Sequence, residues 1–319
     1  MAGNEIRRDP ISGYWVILSE RRAKRPHQFV TEKVVERDRR CPFCPGNEHM
    51  VLETDRLPEK GKWLVKAVKN KYPFVDKLDE RTSLPREGVI RDEPFYYHFP
   101  SLGYHEVIID TRKHNKEVFD QGIMSTYRLL EMYKRRMEYM MKNRWIKYVN
   151  IFKNKGSQAG ASLPHPHSQI SAFPFVPERI KKEMRRKCGF CEYIELEKKS
   201  PRFVHENDEF IVLSPYAPRF AFEMWVLSKK HKRSILEMGK DELMSLSNLL
   251  VQLFKAMKKV LGDFPYNYAI HQAPKGKDFH FHLEIYPKLS IWAGLELGSN
   301  IYVNAVCPED AALFVRDHL

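Results

Sequence analysis

The sequence predicts an α+β fold built from two tandem copies of one unit, each an antiparallel sheet with packed helices. Three observations lead there. A Cys-x-x-Cys pair occurs twice, at Cys41/Cys44 and at Cys188/Cys191. A His-x-His pair follows each, at His165/His167 and at His280/His282. Between each CxxC and its HxH a further histidine stands at a corresponding place, His114 in the first copy and His231 in the second. Four of the five cysteines and six of the thirteen histidines fall into these two parallel sets, which scattered core residues would not produce.

The elements follow in the same order in both copies. Cys41-Pro-Phe-Cys44-Pro-Gly-Asn47 reads as a knuckle-like turn, which suits a metal better than the strand-to-helix turn of a redox CxxC. An alternating strand over 104–111 ends near His114. A helix is expected from about Lys116 to Lys142, because Val118, Met124, Tyr127, Leu130, Tyr133, Met137 and Met140 recur at helical spacing. A strand over 148–152 leads to a loop over 154–160, rich in small residues and donors, where backbone N–H groups can approach a phosphate closely. The HxH strand over 167–175 closes the unit. The second copy has a strand over 222–227 ending near His231. Its helix runs over 240–261, with Leu243, Leu246, Leu250, Leu253, Met257 and Val260 on one face. Strands over 266–270 and 280–289 follow. Short connections between strands favour antiparallel pairing. The expected division is a catalytic unit over residues 1–178 and a second unit over 179–319.

Length and composition narrow the class. A chain of 319 residues has room for two ordinary domains. No apolar run approaches the ~20 residues that span a bilayer, and the polar N-terminus argues against a signal peptide, so a cytoplasmic protein is expected. The net charge of +13 is spread over the chain and attracts any polyanion, phosphorylated metabolites included. A zinc-stapled basic protein that binds nucleic acid is a distant alternative. It leaves His-Pro-His-x-Gln unexplained, and no recognition-helix finger spacing occurs.

Zinc takes four nitrogen or sulfur ligands in a tetrahedron. Cys41, Cys44, His114 and His165 make such a set. Cys188, Cys191, His231 and His280 make a second one. A competing set of Glu183, His271, His280 and His282 has harder ligands and suits iron or zinc. Alternate strand residues share a face, so His165 and His167 would point the same way if Pro166 keeps the segment extended. One can then ligate metal while the other faces a cleft. A histidine held at one ring nitrogen by a backbone carbonyl presents the other as a base or nucleophile. Gln169 falls on that same face, where its amide can donate to a phosphoryl oxygen. Ser168 alternates away and needs no role of its own. The second copy carries Glu284 where Gln169 would stand, and a different loop over 272–278, so it reads as scaffold or substrate-binding rather than catalytic. His105 either lines the cleft or is an ordinary strand residue. Cys307 is expected to be a buried apolar residue.

At these residues the chain resembles the galactose-1-phosphate uridylyltransferase family, a duplicated branch of the histidine-triad superfamily. The resemblance lies in the opening segment 9–19 with Arg22 and Arg25, and in the Cys41/Cys44 knuckle. It continues in Asn70, Asn154-Lys-Gly156, Gly160, Ser162 and His165-Pro-His167-x-Gln169. It implies two tandem histidine-triad-like domains and a ping-pong reaction. His167 would attack the α-phosphoryl group of UDP-glucose, glucose 1-phosphate would leave, and galactose 1-phosphate would take the uridylyl group from the histidine. Gln169 and Ser162 would bind the transferring phosphoryl group. Arg22 and Arg25 would bind phosphate, and Asn70, Asn154 and Gly160 would line the nucleotide site. Glu296, in the segment 293–300, would contact the sugar in the partner subunit of a homodimer. Two positions depart from a familiar version of the motifs: Leu295 replaces a tyrosine and Ser168 a glycine. The second CxxC resembles the two-zinc arrangement of related nucleotidyltransferases, ADP-glucose phosphorylase among them. An ADP-glucose or dinucleotide phosphorylase using the same histidine is therefore the enzymatic alternative. The implied cofactor is zinc at the first set, and zinc or iron at the second.

Overall fold

The computed structural model describes residues 5–18, 39–77, 90–93, 96–98, 101–184 and 188–319. In chain order its strands are β1 (Glu5–Arg8), β2 (Trp15–Leu18), β3 (Glu53–Leu57), β4 (Val65–Lys69), β5 (Asp76–Lys77), β6 (Ile90–Glu93), β7 (Tyr96–His98), β8 (Leu102–Ile109), β9 (Tyr148–Lys155) and β10 (His167–Phe173). They continue with β11 (Phe203–Glu206), β12 (Phe210–Leu213), β13 (Met224–Ser228), β14 (Tyr266–His271), β15 (His282–Pro287) and β16 (Ile301–Asn304). The helices are α1 (Ile123–Met141), α2 (Glu178–Glu183), α3 (Gly189–Glu197), α4 (Lys240–Leu261), α5 (Gly294–Ser299) and α6 (Pro308–Arg316).

Most strands join one mixed but largely antiparallel sheet in the order β11-β12-β13-β15-β14-β9-β10-β8-β4-β3, with β5 parallel to the end of β8. The expected strand, helix, strand, HxH-strand order recurs as β8-α1-β9-β10 and β13-α4-β14-β15. The two runs meet edge to edge, because β9 pairs antiparallel with β14. Register repeats as well. His167 lies opposite Ile109 and Gln169 opposite Val107, while His282 lies opposite Leu227 and Glu284 opposite Trp225.

Both long helices cover one face of this sheet. Leu130, Tyr133, Met137 and Met140 of α1 and Leu246, Leu250, Leu253 and Met257 of α4 are buried with Ile108, Ile151, Ile170, Leu283 and Ile285 of the strands. Arg136 of α1 donates twice to Glu106 of β8, at 2.8 Å each, which satisfies a carboxylate that the helix buries. Tyr133 and Tyr268 share a hydrogen bond of 2.5 Å between α1 and β14. Strand alternation then decides the other face. Val107, Ile109, His167 and Gln169 point away from the helices, and Val107 and Ile109 pack with Cys41, Phe43 and Cys44. A separate small sheet, β1-β2-β16, is antiparallel at β1-β2 and parallel at β2-β16. Among the described residues no helix is long and apolar enough to cross a membrane.

Several expected boundaries move for local reasons. Helix α1 starts at Ile123 rather than near Lys116, since Gly122 adopts φ +91° and ends a short 3-10 turn over Phe119–Gln121. Strand β9 runs on to Lys155, so Asn154 belongs to the strand and not to the loop. The strand before His231 begins at Met224, beyond the left-handed Phe222 at φ +59°. Cys307 is half-buried at the start of α6, beside Val16, Leu18 and Ala217, rather than fully buried.

Candidate active site and metal centres

The first Cys₂His₂ set comes together from three elements. The Cys41–Cys44 turn lies against the start of β10. Cys41 Sγ is 3.7 Å from His165 Nδ1, and Cys44 Sγ is 3.6 Å from the same nitrogen and 3.3 Å from His114 Nδ1. Tetrahedral zinc with ordinary Zn–S and Zn–N bonds places sulfur and nitrogen about 3.6 Å apart, so the residues present fit the ion. All four are buried. The other ring nitrogen of His165 donates to Thr111 O at 2.8 Å, the kind of outer contact that orients a ligating imidazole. Burial lowers the His165 pKa to about 4 and raises the Cys41 thiol to about 11.

His165 lies just before the strand, yet its ring and that of His167 both meet Phe43, with centroids 6.0 and 5.4 Å away, so the two face the same side of the sheet. Strand β10 begins only at His167, and the His165 ring turns to the sulfur set. The two remain linked through the backbone, since His167 Nδ1 donates to His165 O at 2.8 Å. That bond fixes the tautomer and leaves a lone pair on His167 Nε2. His167 is buried beside Phe43, with ring centroids 5.4 Å apart. Desolvation lowers its pKa, which keeps the ring neutral. Gln169 lies two residues on along the same face, half-buried, and its Oε1 is 2.8 Å from His105 Nε2. Asn70, after β4, also reaches His105 Nε2, at 3.0 Å. His105 is thus a buried cleft residue and not an ordinary half-exposed one.

Ser168 has a role that alternation alone did not assign. It turns to the helix face and donates to Asp110 Oδ1 at 2.6 Å. Asp110 and Glu117 both grip Lys153 Nζ, at 2.5 and 2.8 Å. The available signal was Lys153 itself, which shares its strand face with the core residues Val149 and Ile151.

The loop before His165 is built on positive-φ glycines, Gly156 at +83° and Gly160 at +84°. A Cβ on Gly156 would also meet Pro265 Cβ at 3.0 Å. Asn154 is held from β14, where Asn267 Nδ2 donates to Asn154 Oδ1 at 2.8 Å and to Ala159 O at 2.7 Å. Gly160 and Ser162 are exposed on this loop. Arg22 and Arg25 lie outside the described residues. Glu296 lies on α5, beside β16 of the small sheet. It is buried, and its Oε2 accepts the Ala293 N–H at 2.9 Å to cap its own helix.

The second copy forms two clusters where the sequence offered a choice of one. Cys188 and Cys191 lie 3.4 and 3.5 Å from His280 Nδ1, and Cys191 lies 3.5 Å from His231 Nδ1. His280 donates onward to Ser228 O at 2.7 Å, and His231 Nε2 meets Asp278 at 2.8 Å. The competing set does not include His280. Its members are Glu183, His271, His282 and Glu284. His280 precedes β15 and its Nδ1 goes to the sulfurs, whereas His282 and Glu284 on β15 join Glu183 and His271, with the Phe190 ring against both His280 and His282. This third cluster already holds cations of its own. Arg179 Nε is 3.0 Å from Glu183, Arg179 also pairs with Glu284 at 2.5 Å, and Arg219 lies 3.4 Å from Glu284.

Residues 2–177 match the model of the galactose-1-phosphate uridyl transferase N-terminal domain, and residues 101–319 match a domain of unknown function, DUF4921. The chain is 32% identical to ADP-glucose phosphorylase of Arabidopsis thaliana, over 98% of this chain and 92% of the relative. It is also 32% identical to galactose-1-phosphate uridylyltransferase of Thermotoga maritima, over 98% of each. The crystal structure of the Arabidopsis phosphorylase with bound ADP-glucose superposes with a TM-score of 0.84 at 30% identity, covering 99% of both chains. Fold and relatives together define a nucleotidyltransferase. The chain belongs to the galactose-1-phosphate uridylyltransferase family.

Proposed function

We propose that the protein transfers a nucleotidyl group between a nucleotide sugar and a phosphate acceptor through a covalent intermediate on His167. UDP-glucose is the donor and galactose 1-phosphate the acceptor in this reading. One observation carries it: the buried His167 has its Nδ1–H held by the His165 carbonyl, which leaves the Nε2 lone pair free on the strand face it shares with Gln169. The Nε2 lone pair attacks the α-phosphorus. The bond from that phosphorus to the bridging oxygen breaks, and glucose 1-phosphate leaves with the electron pair. Positive charge delocalises to Nδ1–H, where the His165 carbonyl stabilises it. An oxygen of the acceptor phosphate then attacks the same phosphorus and frees His167.

Gln169 donates to the transferring phosphoryl group in this scheme, with Ser162 beside it. Asn70, Asn154 and Gly160 serve the nucleotide, and Arg22 and Arg25 its phosphates. The catalytic unit is residues 1–178, and residues 179–319 form the second unit. Zinc would be held by Cys41, Cys44, His114 and His165, and by Cys188, Cys191, His231 and His280. Bound there it would fasten loops to the sheet. At the first set it would also anchor His165, whose carbonyl orients His167. The third cluster takes its positive charge from Arg179 and Arg219 and is assigned no metal. The active unit is a homodimer sharing sites between subunits. Glu296 would accept from a sugar hydroxyl at the carboxylate sites that its helix cap leaves unused.

A second reading has equal support from similarity: adenylyl transfer from ADP-glucose to inorganic phosphate. The second Cys₂His₂ set favours it, as does the likeness to the ADP-glucose-bound phosphorylase. Purified protein given UDP-glucose with galactose 1-phosphate, or ADP-glucose with phosphate, separates the two. UDP-galactose formation supports the first reading, ADP release supports the second, and neither product refutes both.

A further inference from the structure

We propose that His105 is a positioning residue: its ring hydrogen fixes which end of the Gln169 amide faces the reacting phosphoryl group. The inference rests on the role given to Gln169 above. His105 stands on β8, on the same sheet face as Val107 and Ile109, and is buried. The Phe74 ring covers it, with centroids 3.9 Å apart. The Phe74 backbone N–H donates to His105 Nδ1 at 3.4 Å. Desolvation lowers the His105 pKa, so at neutral pH the ring carries a single hydrogen. A nitrogen that accepts an N–H has no hydrogen of its own, which puts that one hydrogen on Nε2.

Two groups lie near Nε2, namely Gln169 Oε1 at 2.8 Å and Asn70 Nδ2 at 3.0 Å. The oxygen can accept the hydrogen and the amide nitrogen cannot. Gln169 is therefore held by its carbonyl end, and its NH₂ is left to face the cleft. Freed from His105, the amide could rotate by half a turn and present its oxygen to the phosphoryl oxygens, turning an attraction into a repulsion. Asn70 is affected too. Its Oδ1 accepts the Tyr72 N–H at 2.9 Å, and its NH₂ cannot donate to a protonated Nε2. Those hydrogens stay available to a ligand. The opposite tautomer would tie Asn70 to His105 and turn Gln169 around, so the position of one proton sets the donors of both residues.

The test uses the zinc-loaded full chain. His105→Phe keeps a ring and removes the donor. Single-turnover adduct formation at saturating nucleotide sugar should slow by about 10- to 100-fold, with the apparent donor affinity changed less than about 3-fold. His105→Gln should restore most of the rate. In a Gln169→Ala background, His105→Phe should cause no further loss. An equal loss in that background overturns the proposal, as does an effect confined to affinity. The ¹⁵N resonances of the His105 ring give a readout independent of turnover. Hydrogen on Nε2 supports the proposal and hydrogen on Nδ1 overturns it. If the wild-type protein forms no adduct with either nucleotide sugar, the functional reading fails and the resonance measurement alone decides this inference.

Discussion

Replacing Lys153 with methionine probes the support beneath the His167 strand. The Lys153 side chain is 1% exposed and that of Asp110 is 0%, and Nζ bridges Asp110 and Glu117 at 2.5 and 2.8 Å. Burial alone would discharge this ammonium, yet Asp110 and Glu117 hold its pKa above the ordinary lysine value. Methionine keeps much of the volume and removes the charge, leaving two carboxylates facing each other without a cation. Breaking a buried ion pair from one side costs about 3–5 kcal/mol. An unfolding entropy of about 2.1 cal/mol/K per residue gives about 0.7 kcal/mol per kelvin over this chain, so Tm should fall by about 4–8 °C. Lys153→Met with Asp110→Asn removes one of the two stranded charges and should recover roughly half of the loss. Scanning calorimetry of the zinc-loaded protein measures both. A fall in Tm below about 1 °C, or strict additivity of the two changes, refutes the reasoning.

Other outcomes follow from the same geometry. Metal analysis should find two zinc ions per chain, with Cys41→Ser and Cys188→Ser each losing one; a third ion would contradict the neutralisation of Glu183 and Glu284 by arginine. Desolvation lowers the His167 pKa below its ordinary 6.5, so the nucleophile stays neutral as pH falls through that value. The rate of adduct formation should therefore stay flat from about pH 8 through 6.5 and drop only at more acid pH, whereas a midpoint at 6.5 contradicts the assigned burial. As pH falls through 6.5 toward the depressed folded value, the unfolded chain binds more protons at this site than the folded one, so stability from this group declines there. Gly103→Ala would place a Cβ 2.1 Å from the Ala172 carbonyl oxygen, where β8 and β10 cross closely. Urea unfolding should show a loss above about 4 kcal/mol, and an unchanged midpoint would mean the strands can part without penalty.

Much of this architecture could be read from periodicity. Helix α4 matches its expected span because an unbroken apolar face lies between Gly239 and Gly262. Helix α1 begins seven residues later than its apolar pattern suggests, since Val118 continues that pattern while the backbone at Gly122 does not. Period-two alternation correctly put Gln169 on the His167 face. What alternation could not show is that the strand starts only after Pro166 and that the His165 ring, not that of His167, reaches the cysteines. The choice between metal sets in the second copy was not legible from spacing. His280 and His282 both sit among possible ligands, and only the packed structure shows which of them reaches the sulfurs and which the carboxylates. Arg179 and Arg219, which supply the charge of the third cluster, are remote from its histidines in sequence and gave no local signal. Lys153, a lysine on a core-facing strand position, did give one.

Transfer of a nucleotidyl group onto His167 is the central step of the proposed reaction. Intact-mass measurement after mixing the protein with UDP-glucose, and separately with ADP-glucose, tests this most directly. A uridylyl or adenylyl increment on the wild-type chain, absent from a folded, zinc-loaded His167→Gly protein, is the predicted result. Retention of the adduct in His167→Gly, or turnover by a wild-type chain that never gains mass, would contradict it.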